Sequence, residues 1–88
     1  MAEPIRIEAP DALLGFLLLQ RLPQVEAHVQ SEGSGWAVAI DPRGEEPEDL
    51  FADLLGTVRQ WLRDEQLSRT TAHVGDRTIT VAANERSD

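Results

Sequence analysis

Apolar residues recur at two periods along this chain, and the change of period marks its elements. From Glu48 to Gln66, Leu50, Phe51, Leu54, Leu55, Val58, Trp61 and Leu62 fall three and four residues apart. That spacing predicts a helix with one apolar stripe, with Asp53, Arg59, Gln60, Arg63 and Asp64 opposite. Pro47 suits the first helical position, where no amide hydrogen is needed. Glu48 and Asp49 put negative charge at the positive end of the helix dipole, and Arg59 and Arg63 lie toward its other end. A second helix is predicted from Ala12 to Leu22, with Asp11 as its N-cap and Pro23 as its stop. Leu13, Leu14, Phe16, Leu17, Leu18 and Leu19 are too dense for a single stripe, so this helix is expected to pack on more than one side. Gly15 costs it about 1 kcal/mol relative to alanine but permits close approach to a neighbour.

Elsewhere the period is two. Ile5 and Ile7 alternate with Arg6 and Glu8, the pattern of a short half-buried strand. Val25, Ala27 and Val29 alternate with Gln24, Glu26, His28 and Gln30. Trp36, Val38 and Ile40 alternate with Ala37, Ala39 and Asp41. Between these two strands Ser31-Glu32-Gly33-Ser34 reads as a turn. Pairing Ser31 with Ser34 sets Val29 opposite Trp36, Ala27 opposite Val38 and Val25 opposite Ile40, apolar against apolar. Glu32 is not ideal for a two-residue turn. Asp41-Pro42-Arg43-Gly44 leaves the sheet. After the long helix, Leu67-Ser68-Arg69 is a connector. Thr70 to Val74 and Arg77 to Ala83 form a second hairpin around Gly75-Asp76, where glycine meets the requirement of a type II′ turn. That turn pairs Ala72 with Ile79, His73 with Thr78 and Thr71 with Thr80. Asn84 to Asp88 is expected to be a frayed polar tail.

The element order is therefore β-α-β-β-α-β-β. Right-handed crossovers put both helices on one face of a sheet with strand order second, third, first, fourth, fifth. The expected fold is an α+β two-layer sandwich, one domain over residues 1–88 with an ordered core of about 4–83. This order resembles ferredoxin-like domains, the split βαβ layout, with an added C-terminal edge strand; ligand-binding regulatory ACT domains belong to that group. The resemblance implies a mainly antiparallel sheet. For the ACT type it also implies a small-molecule site at a strand–helix loop, here Ala9 to Ala12 or Asp41 to Gly44. The layout hosts many activities, so function has to be read from the residues.

Composition narrows the classes. A chain of 88 residues allows one thin core. Hydrophobic residues at 41% and charged residues at 27% suit a folded chain rather than a disordered one. The absence of cysteine excludes disulfides and thiolate sites and fits a cytoplasmic setting. MAEPIRIEAP lacks the basic and apolar segments of a secretory signal. The longest apolar block, Ala12 to Leu19, is shorter than the ~18 residues of a membrane span. Net charge is −8, with eight arginines and no lysine. An acidic chain repels phosphate backbones, so no nucleic-acid partner is expected. The arginine, alanine and glutamate usage fits a GC-rich, bacterial coding bias.

The candidate chemistry lies mostly on the sheet face turned away from the helices. Arg6, Glu8, Glu26, His28, Ala37, Ala39, Thr71, His73, Thr78 and Thr80 fall there. They form either a plain solvated face or a flat platform for another sheet or a protein partner. The second and fifth strands, as edges, can also accept a partner strand. His28 and His73 lie on strands separated by two others, roughly 14 Å apart, too far to share a metal. Trp61 belongs to the core; Trp36 lies on the core face near the hairpin end, where it is partly exposed and can line a pocket. Asp41, Glu45, Glu46, Glu48, Asp49 and Asp53 stand against a single Arg43. This acidic patch is a solvated helix start or a docking surface for a basic partner. It lacks the spacing of an EF-hand.

No G-x-S-x-G, glycine-rich phosphate loop or H-E-x-x-H is present. Ser31, Ser34 and Ser68 fall in turns, where serine is used for backbone reasons. His28 near Glu26 or Glu8 is the nearest approach to an acid/base group. The expected function is a small acidic protein-interaction module, an adaptor or a homodimerising domain, with no cofactor and no enzymatic activity. The alternative is a small-molecule-sensing regulatory domain of the ACT kind.

Overall fold

A computed structural model describes residues 4–33 and 35–83. The chain forms β1 (Ile5–Ala9), α1 (Ala12–Gln20), β2 (Glu26–Glu32), β3 (Gly35–Asp41), α2 (Pro47–Asp64), β4 (Arg69–Val74) and β5 (Arg77–Ala82). The five strands make one sheet in the order β2-β3-β1-β4-β5, and every neighbouring pair is antiparallel. The fold is thus α+β, two helices with a five-stranded antiparallel sheet. The expected frayed tail, Asn84 to Asp88, lies outside the described residues.

Alternation decides which sheet residues enter the core. Ile5, Ile7 and Ala9 of β1, Val38 and Ile40 of β3, Ala72 and Val74 of β4, and Val81 of β5 are buried in one apolar cluster. Leu18 and Leu22 join it from α1 and the segment after it. From α2 come Leu50, Phe51, Leu54, Val58, Trp61 and Leu62. The apolar stripe of α2 is therefore buried, with Leu55 half-exposed at its margin. The indole N–H of Trp61 donates to the Leu14 carbonyl at 3.0 Å, and Arg21 pairs with Asp64 at 2.6 Å. These two contacts tie the helices together.

Helix ends follow local chemistry. The Asp11 side chain accepts from the Leu14 amide at 2.9 Å, which satisfies one of the free amides of the first turn of α1. α1 ends at Gln20, two residues before the expected Leu22, because the Arg21 amide turns back to Leu18 and Leu19. α2 closes in a Schellman arrangement: the Leu67 amide donates to the Leu62 carbonyl at 2.8 Å. Gln66 there takes φ 60°, a left-handed conformation that glycine normally supplies.

The second hairpin has the expected pairs, Ala72↔Ile79, His73↔Thr78 and Thr71↔Thr80, around Gly75 at φ 62°. The first hairpin differs. Val29 faces Val38, Ala27 faces Ile40, and Trp36 faces Ser31, so the register is offset by two residues from the expected one. A two-residue offset leaves every side chain on its face, so the apolar pattern suits both registers equally. Turn chemistry decides between them. The observed pairing of Glu32 with Gly35 places Gly33, at φ 55°, at the start of the turn in place of Glu32. Ser31 and Glu32 consequently belong to β2 and not to the turn. No described helix is long and apolar enough to cross a membrane.

Candidate functional site

The predicted contact residues do share one face of the sheet. Register sets Thr78, His73, Arg6, Ala39 and His28 in one row across the five strands. Two positions along, Thr80 pairs with Thr71, and Glu8, Ala37 and Gln30 pair in turn. The two alanines are not a surface, however. Ala37 is 0% and Ala39 4% exposed, although they lie on the face away from the core cluster. Alanine is short, and its neighbours are long. Ala39 stands between Arg6 and His28, and Ala37 between Glu8 and Gln30. Arg6 also reaches diagonally over β3 to Glu32 on β2, at 3.0 Å.

The outer layer of this face is therefore polar and connected, not a flat platform of small side chains. Arg6 donates to Glu32, Gln30 donates to the same carboxylate at 2.7 Å, and His28 meets Gln30 at 3.1 Å. The Arg6 hydrogen bond holds the Glu32 carboxyl below its ordinary pKa; partial burial opposes this and Gln30 adds to it. On the other side of Arg6, His73 meets Glu8 at 2.8 Å. The imidazole–carboxylate pair is thus His73 with Glu8, whereas the sequence pointed to His28 with Glu26 or Glu8. Glu26 instead pairs with Arg43. Glu32 is absent from the expected face because the expected register puts it in the turn; Gln30 lies on a polar position of the strand, and its link to Glu32 depends on that same register.

His28 and His73 are held apart by β3 and β1. Among the described residues no three His, Cys, Asp or Glu side chains converge as metal ligands would. One acid of the segment is neutralised from outside it: Glu48 pairs with Arg77 of β5 at 3.0 Å. Asp41 accepts from the backbone amide of Arg43 at 2.9 Å. Glu45, Glu46, Asp49 and Asp53 are exposed. Glu46 caps α2 without a side-chain hydrogen bond, and Glu48 and Asp49 occupy its first turn, where acids favour the helix dipole.

Sequence reasoning missed the uncovered side of α1. Leu13 is 68% and Phe16 50% exposed; Trp36, at the hairpin end of β3, is 37% exposed, the partial exposure its position led one to expect. A helix apolar on all sides gives no azimuth to its buried side. Its burial was expected on several sides, and the chain covers only some of them. Two shallow grooves of about 500 Å³ flank the sheet ends. One is lined by Glu8, Ala9, Pro10, Leu67, Arg69, Thr70, Thr71 and Thr80. The other, of about 520 Å³, is lined by Pro4, Glu26, His28, Ala39, Ile40, Asp41 and Pro42. No protein-family model matches this chain, and no curated protein or solved structure matches it.

Proposed function

We propose that this chain is a small acidic protein-interaction module, an adaptor or a homodimerising domain, on a ferredoxin-like frame with both helices over one side of the sheet. The shared core cluster of α1, α2 and alternate strand residues supports that frame. One observation carries the functional reading: the outer side of α1 is apolar and bare on a chain of net charge −8. Exposed contiguous apolar side chains on a small protein mark contact sites. The polar sheet face has its charges and amides engaged internally, so it offers less to a partner than α1 and the neighbouring sheet edge.

The test is affinity purification with the wild-type chain as bait beside Leu13→Glu and Phe16→Glu, together with the mass of the purified chain in solution. Retention of a specific partner, or of the chain itself, by the wild type and its loss in both variants supports the reading. Identical retention by all three, or none by any, refutes it.

The groove beside Ala9 and Pro10 favours a second reading, a small-molecule-sensing domain of ACT type. It adjoins the β1–α1 junction, and Arg69, Thr71 and Thr80 are among the residues that line it. A metabolite that raises Tm in a thermal-shift screen, with the effect lost in Arg69→Ala, would favour this reading over the first.

A further inference from the structure

Resting on the interaction-module reading, we infer that the partner of the α1 side is a second copy of this chain, joined through the free edge of β2 with α1 packed against its counterpart. β2 is the outermost strand on its side of the sheet. α1 lies directly over it: a side-chain carbon built at Gly15 would sit 3.2 Å from Val29 Cγ1. α1 is tied to α2 at the Leu14 carbonyl and, one residue past its end, by Arg21. Phe16 is roughly 200° around the helix from Leu14, which sets its half-exposed side chain on the side of α1 turned from α2. The apolar surface and the backbone edge of β2, unpaired among the described residues, are therefore adjacent.

Charge argues that the occupant is a like chain. Two copies carrying −8 each repel through most of their surfaces. α1 has no charged residue from Ala12 to Gln20, and β2 has no acid or arginine from Ala27 to Ser31. The acids at the two ends of β2 are already paired, Glu26 with Arg43 and Glu32 with Arg6. This edge is the electrically quiet strip of an acidic molecule. It is also undefended: β2 carries neither proline nor lysine to block strand addition. A twofold axis normal to the sheet pairs strand with strand and, in the same step, apolar helix with apolar helix.

Area requires both parts. Leu13, Phe16 and Trp36 expose roughly 300 Å² of apolar side chain, too little alone. Pairing along a strand of this length adds a strip of comparable size. The sum, on the order of 600 Å² per copy, reaches the lower limit of specific interfaces, about 1,200 Å² in total.

Light scattering on the full chain across a dilution series is the test, with hydrogen exchange of the β2 amides as a second measurement. The wild type is expected to approach twice the 9.7 kDa of one chain as concentration rises. Leu13→Glu and Phe16→Glu, folded by circular dichroism, are each expected to weaken dimerisation at least tenfold. Outward-facing β2 amides should gain protection with concentration in the wild type alone. A chain that stays at single mass at its highest soluble concentration overturns the inference, and affinity purification then decides separately whether another protein uses α1. A dimer that persists in both variants also overturns it, placing the contact elsewhere.

Discussion

Two glycines sit inside helices of this protein, and their surroundings give opposite expectations for the same substitution. Gly56 lies in α2 with nothing within 4 Å of a built side-chain carbon. Gly56→Ala should therefore return the full helix-propensity difference, about 0.8–1 kcal/mol of added stability. For a domain of this size that corresponds to roughly 4–8 °C in Tm. Gly15 lies in α1 against Val29, whose two methyl groups would be 3.2 and 3.4 Å from the added carbon, with Ala9 at 3.8 Å. The same propensity gain is opposed there by overpacking, which typically costs about 1–3 kcal/mol. Gly15→Ala should be neutral to destabilising, at least ~1 kcal/mol less favourable than Gly56→Ala.

The measurement is urea unfolding followed by circular dichroism, at one fixed protein concentration because association would shift apparent stability. Val29→Ala completes the cycle. In that background the opposing methyl groups are gone, and Gly15→Ala should become stabilising, with a coupling of about 1 kcal/mol. Equal gains at Gly15 and Gly56, with no coupling to Val29, would refute the placement of α1 directly on β2.

Further expectations follow from single contacts. Asp11→Ala removes the cap on the Leu14 amide and should cost about 1 kcal/mol by the same unfolding assay. Trp61→Phe loses the indole hydrogen bond to the buried side of α1 and leaves unfilled volume; a loss of about 1–3 kcal/mol is expected, read from the urea midpoint. Gln66→Gly relieves a left-handed residue at the close of α2 and should raise Tm, by about 0.5–1 kcal/mol in stability. Arg6 lowers the carboxyl pKa of Glu32, and Gln60 followed by Arg21 lowers that of Asp64. Folded-state values below unfolded ones mean that this stabilisation is complete at neutral pH and is lost as pH falls below the ordinary carboxylate range. Stability measured down that range should decline, and Glu32→Gln should flatten part of the decline.

What could be read from the chain depended on the kind of information each residue carries. Ile5 and Ile7, the α2 stripe and the Gly75-Asp76 turn each combine a clear period with clear boundaries, and their elements lie where expected. The first hairpin had a period but an ambiguous turn, and periodicity alone cannot separate registers two residues apart. The open face shows a different limit. Alternation placed Ala37 and Ala39 on the correct side, but it says nothing about which longer neighbours lie over them. The reach of Arg6 across β3 to Glu32, and the pairing of His73 with Glu8, depend on strand order together with side-chain length. The bare side of α1 was hidden for another reason: six large apolar residues in eight positions leave no polar side to point outward.

The join between β1 and β4 has a consequence for how the molecule comes apart. β1 matches β3 over five residue pairs but matches β4 at two, Arg6↔His73 and Ile7↔Ala72. Residues 5–41 contain β1, α1 and the first hairpin, and residues 47–83 contain α2 and the second. Each stretch is continuous in sequence and completes its own ladders, so a cut in the intervening loop severs no strand from its main neighbour. The two stretches share one apolar cluster, and separately made halves should reconstitute by fragment complementation, read as recovery of the circular dichroism of the intact chain on mixing.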